Sequence, residues 1–132
     1  MAHPKKVTAM AKYSFADDGG GSPGAITLNQ TESIPNNAVI TDVWTYTDTL
    51  CVGSGATIAI TGGGVTLSAA TAITNNAYDT NEQVSHHTGL ISSNLGIKAT
   101  STADIGITTA SAALSAGIFT IWVEYYLLDA EA

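Results

Sequence analysis

The chain has 132 residues, a formal net charge of −7 and no arginine, and only 11% of its residues are charged. A nucleic-acid binder needs clustered cations to displace counterions from phosphates, and the four lysines, Lys5, Lys6, Lys12 and Lys98, do not supply them. No apolar run reaches the roughly 18 residues of a membrane span, and a chain of this length buries about two-thirds of its unfolded surface without a disulfide or metal staple.

The elements follow in chain order. Residues Lys6–Ala16 alternate, with Val7, Ala9, Ala11, Tyr13 and Phe15 against Thr8, Met10, Lys12 and Ser14, which predicts a half-buried strand. "DDGGGSPG" (17–24) breaks it with turn chemistry. "AITLNQT" (25–31) reads as a short strand ended by "ESIPNN", and "AVITDVWTYTDTL" (38–50) as a longer, threonine-rich one. "VGSG" turns into the strand "ATIAIT" (56–61), and "GGG" (62–64) bends into "VTLSAATAIT" (65–74), read as a strand with one helical turn at Ser68–Ala72. The polar run "NNAYDTNEQVSHHTG" (75–89) is expected to be a long loop. Residues 90–110 hold two weaker strands and 111–117 a small-residue link. In "GIFTIWVEYYLL" (117–128), Phe119, Ile121, Val123, Tyr125 and Leu127 form one core-grade face. Trp122 and Tyr126 sit on the other, beside Glu124, and that face needs a cover. Strands recurring every 8–15 residues between Gly, Asn and Pro, with no sustained helical period, predict an all-β, single-domain antiparallel sandwich or barrel spanning 1–132, with a short N-terminal arm at 1–6.

The chemical motifs are weak. Gly19, Gly21 and Gly24 satisfy G-x-G-x-x-G, but Pro23 interrupts it and a β-run follows where a dinucleotide site needs a helix. Asp17 and Asp18 offer two adjacent carboxylates, fewer oxygens than calcium gathers. His86 and His87 face opposite ways in a strand, and as a loop tip they are simply polar; no metal spacing surrounds them. Cys51 is the lone cysteine, so no internal disulfide forms. No G-x-S-x-G is present, and Asp42, Asp48 and Asp104 leave a carboxylate pair open without favouring one. Asn29 opens a glycosylation sequon, and "MAHPKKVTAMAKYSFA" lacks the pattern of a signal peptide, so the expectation is a protein made in the cytoplasm. Nothing here points to an enzyme, a cofactor or a metal.

The pattern as a whole carries a resemblance. Ile34–Asp42 in "SIPNNAVITD", Ser54–Ile60 in "SGATIAI" and Leu114–Tyr125 in "LSAGIFTIWVEY" resemble small virion structural proteins of tailed bacteriophages, of the head decoration or cement type. The likeness spans most of the chain on soft, small-residue β patterns, and the polar 75–89 run has no counterpart in it. It implies a jelly-roll-like sandwich that trimerises on the outer surface of a phage head and binds the major capsid protein across capsomer seams. On that reading Ala2, His3, Pro4, Lys5 and Lys6 reach the shell, where Lys5 and Lys6 are the only basic pair. Trp122 and Tyr126 then meet a neighbouring subunit, since aromatic anchors on a partly polar face suit an interface. The alternative cover for them is a second sheet or the 75–89 run of the same subunit. The rival function is a tail-associated receptor- or carbohydrate-binding module using Trp44, Tyr46 or Tyr78.

Overall fold

The computed structural model describes residues 4–21, 23–87 and 96–128. In chain order the elements are β1 (Lys5–Ser14), α1 (Phe15–Asp18), β2 (Ala25–Ile26), β3 (Ser33–Ile34), β4 (Val39–Val52), β5 (Thr57–Gly62), β6 (Val65–Ala72), α2 (Asn76–Asp79), β7 (Gln83–His86), β8 (Ile97–Lys98), β9 (Ala103–Asp104), β10 (Gly106–Ala110) and β11 (Ala116–Leu127). One sheet, A, runs β1-β11-β4-β7, with β8 also paired to β4. A second, B, runs β2-β10-β5-β6, and β3 and β9 form a small ribbon. The pairings β1:β11, β2:β10, β4:β7 and β5:β6 are all antiparallel and nest inside one another along the chain. Such nesting is a long hairpin folded over so that its two arms feed both sheets.

Of the sandwich or barrel expected from the alternation and strand spacing, the fold is the all-β sandwich. Its core is one cluster drawn from both inner faces: Ala9, Ala11 and Tyr13 from β1, Phe119, Ile121 and Val123 from β11, Ile58 and Ile60 from β5, Leu67 from β6 and Ile107 from β10. Phe119 sits between Tyr13 and Tyr78, with ring centroids 5.2 and 5.3 Å away. Gly117 is needed where it stands. Its φ is +141°, and a Cβ there would meet Cys51 Sγ at 2.7 Å. Glycine alone takes that backbone and that close approach together.

Several boundaries differ from the sequence reading. Strand β1 begins at Lys5, so Lys5 and Lys6 belong to the sheet, in register with Leu127 and Tyr126, and are not part of a free arm. It ends at Ser14, where the chain winds into α1 and leaves Phe15 exposed. Asp18 causes this turn-in. Its carboxylate accepts the Ser14 and Asn29 amides at 3.0 and 2.9 Å, which ties the corner to the next segment. The helical turn expected at Ser68–Ala72 is strand throughout, because β6 pairs with β5. The expected 75–89 loop holds α2, capped by Asn75 accepting the Ala77 amide at 2.9 Å, and edge strand β7. Part of the two weak strands expected over 90–110 falls outside the described residues.

Strand β4 carries a bulge. Asp42 opposes Glu124 while Ile40 opposes Tyr125, so Thr41 is the extra residue, and its hydroxyl donates to the Glu124 carbonyl at 3.3 Å. The bulge turns Ile40 and Val43 both inward and sends Asp42, Trp44 and Tyr46 outward.

Candidate functional site

The outer face of sheet A is built in rows across four strands. Met10 on β1 opposes Trp122 on β11, Trp122 opposes Trp44 on β4, and Trp44 opposes His86 on β7. The Trp44 and Trp122 rings are near parallel, 7° apart at 6.1 Å, and Trp44 stacks on the His86 imidazole at 4.3 Å and 18°. The two indoles are therefore half-buried by their neighbours in the row, while Met10 stays 49% exposed. Beside this row lie Thr8, Glu124 and Asp42, placing two carboxylates on adjacent strands directly opposite one another. Like charges so placed repel. Each has a partner: Lys6 Nζ lies 2.9 Å from Glu124 Oε1, and His86 Nε2 lies within hydrogen-bond distance of Asp42 Oδ1, at 2.8 Å. The hydrogen bond to Glu124 and its charge raise the pKa of Lys6.

The sequence-derived contact residues are thus distributed unevenly. Ala2 and His3 lie outside the described residues. Pro4 and Lys5 are exposed at the start of β1, and Lys6 is engaged with Glu124. Trp122 and Tyr126 are both half-buried on the outer face of sheet A. Of the aromatics considered for sugar contact, Tyr78 is fully buried and is excluded from that role. Trp44 has His86 stacked on one side and Trp122 at 6.1 Å on the other, so the face against His86 is not free to stack on a pyranose. Tyr46 remains half-exposed in the same sheet. Asp17 and Asp18 are committed to the α1 corner: Asp18 takes two backbone amides, and the Asp17 carbonyl accepts Asn29 Nδ2 at 3.0 Å. Among the described residues no group of three or more His, Cys, Asp or Glu is disposed to hold a metal.

Between the sheets lies an arrangement that the sequence reading missed. His87 follows β7 with 8% of its surface exposed, pointing inward as His86 points outward. Its Nε2 is 2.7 Å from the hydroxyl of Thr45 on β4, and its Nδ1 is 3.1 Å from that of Ser68 on β6. The imidazole thereby links sheet A to sheet B. Burial, then the charge of His86, lowers its pKa to about 4. Thr47, also fully buried, donates to the Ala77 carbonyl. A polar depression of about 380 Å³ opens above, lined by Ser68, Thr71, Asn75, Ser85, His86 and His87, among others. A Ser–His contact is the nucleophile–base pair of a catalytic triad, whose base is oriented by a third group. Here the second ring nitrogen meets a threonine hydroxyl and not a carboxylate, the imidazole is a weak base, and Ser68 is 4% exposed. The arrangement serves as a cross-link. Its only signal in the sequence was the pair of histidines in a strand-length run, where parity places one of them inside.

No protein-family model matches the chain, and no curated protein does. Solved structures do share its fold. The chain is similar to one in the capsid asymmetric unit of cyanophage Pam1, with a TM-score of 0.60 and 16% identity over 96% of this chain and 88% of that one. It is also similar to a chain in the acidic stable capsid structure of Helicobacter pylori bacteriophage KHP30, with a TM-score of 0.50 and 17% identity over 94% and 93%. At such identities the likeness is one of fold.

Proposed function

We propose that the protein is a non-enzymatic structural component of a phage virion that decorates the outer head surface and cements it, binding the major capsid protein across capsomer seams. The observation that carries this reading is the fold shared with chains of two phage capsids over nearly the whole length. The sequence motifs at Ile34–Asp42, Ser54–Ile60 and Leu114–Tyr125 point the same way. We read the nested strand order as a jelly roll.

The protein acts as a homotrimer whose subunits meet through the outer face of sheet A around Trp122 and Tyr126. The start of β1, with Pro4 and the exposed Lys5, faces the shell together with Ala2 and His3. Lys6 contributes less free charge there, being engaged with Glu124. Neither nucleic acid nor membrane is a partner. Anything that binds only the assembled shell stabilises it by mass action. The test is co-sedimentation of the purified protein with phage heads stripped of it. Saturable binding and a higher shell melting temperature are expected. Absence of binding to heads, together with binding to tails or glycans, would overturn the reading.

A further inference from the structure

We propose that His87 is an acid-operated latch holding edge strand β7 to the sandwich, and that protonation releases β7 while the remaining strands stay folded. Little else holds β7. It has four residues, pairs among the described residues only with β4 over Trp44–Thr47, and lies at the edge of sheet A as described. None of its four side chains is buried: Gln83 and Ser85 are half-exposed, Val84 is 49% exposed and His86 lies in the outer row. The next residue, His87, carries the segment's anchor into the interior. Its amide donates to the Val43 carbonyl at 2.8 Å, and its ring reaches Thr45 and Ser68.

The surroundings of that ring suit a neutral imidazole and oppose a charged one. Thr45 faces it from β4, Ser68 from β6 and Tyr78 from α2, with ring centroids 5.9 Å apart. All three are neutral groups; burial raises the phenol of Tyr78. The one ionisable influence on its own segment is His86, whose charge also opposes protonation, and among the described residues no carboxylate contributes to the shift of His87. Both hydroxyls can rotate to accept from an imidazolium, so the hydrogen bonds survive the change. What changes is an uncompensated charge inside the sandwich, which the chain relieves by letting His87 swing to water. Strand β7 then leaves with it, because nothing else in the strand is buried. Its departure bares the backbone edge of β4 from Trp44 to Thr47 and the face of Trp44 that His86 had covered. Acid thereby converts a covered edge into one open to strand pairing.

Hydrogen exchange on the full chain tests this, with rates corrected for the intrinsic pH dependence of exchange. Between pH 7.5 and pH 4.5 the segment 83–87 should open roughly 50-fold more often. Residues 119–123 of β11 should keep their protection. His87→Gln, which can bond both hydroxyls but cannot charge, should abolish the response, and His86→Gln should retain it. Unchanged protection of 83–87, an undiminished response in His87→Gln, or parallel opening of β11 would each overturn the latch. If His87→Gln does not fold, the wild-type chain decides. The NMR titration midpoint of the His87 ring must coincide with the opening of 83–87, and separate midpoints refute the proposal.

Discussion

The two sheets share an inner logic and differ on their outer faces. Outside sheet A, Met10, Trp122, Trp44 and His86 stack in a row, flanked by the Lys6–Glu124 and His86–Asp42 pairs. Outside sheet B the rows are Ala25–Thr108–Ala59, Gly106–Thr61–Thr66 and Ala110–Thr57–Ala72, and β2, β5, β6 and β10 contain no charged residue. All four lysines lie on β1 and β8, hence in sheet A, in a chain of net −7. The inner faces explain why the molecule folds. The outer faces explain where it can be touched: sheet A offers area, aromatic edges and the chain's cations, whereas sheet B offers a neutral surface of threonine and alanine. β-branched threonine suits a pleated surface whether or not anything covers it.

The sharpest way to break this comparison is to put one charge on an inner and one on an outer face. Val123→Asp should remove a large share of the stability and lower the melting temperature steeply, because an unpaired buried carboxylate costs about 3–5 kcal/mol against a typical total of about 5–15. A variant that melts like wild type would mean that β11 faces the wrong way. Next comes acid. The unfolded His87 titrates near 6.5, and the folded ring is held at about 4. Between those values the unfolded chain binds more protons. Stability is therefore full above pH 6.5, falls through the window and levels off below pH 4, with a loss approaching roughly 3 kcal/mol. Urea titrations at pH 7.5 and 4 should record it, and His87→Gln should flatten the curve.

The third variant bears on the outer face of sheet A. Trp122→Ala removes the centre of the stacked row and should cost about 2 kcal/mol. In sedimentation equilibrium at micromolar concentration wild type should run as a trimer and this variant as a 13.5 kDa species. A trimer that survives would move the contact off that row. The matching change on sheet B, Thr108→Asp, should stay within about 0.5 kcal/mol and leave association intact. If association falls there, sheet B is the interface and the comparison inverts. The smallest effect is expected from Lys6→Ala. Lys6 is solvent-exposed, so breaking its pair with Glu124 should leave the melting temperature unchanged within error.

What the sequence determined by itself was local. Strict alternation in 117–128 named the inward set Phe119, Ile121, Val123, Tyr125 and Leu127; β11 places the first four in the core and Leu127 half-buried against it. The spans of β4 and β5 were legible within about two residues, since glycine and asparagine turns bracket them. Strand spacing alone gave an all-β sandwich or barrel. Tertiary structure decided whatever depended on a distant partner. Alternation through "VITDVW" would set Ile40 beside Asp42 and Trp44; only pairing with β11 places the bulge at Thr41 that separates them. The run 75–89 reads as loop because its side chains are polar, yet β4 had a free edge and recruited Gln83–His86 to it. Ser68–Ala72 has helix-compatible residues and became strand because β5 lay alongside. His87 looks like a surface residue until Thr45 and Ser68, from 42 and 19 residues away, converge on its two nitrogens. A period can be read from neighbours in the chain, whereas a pairing register and a buried polar contact exist only once two remote segments have met.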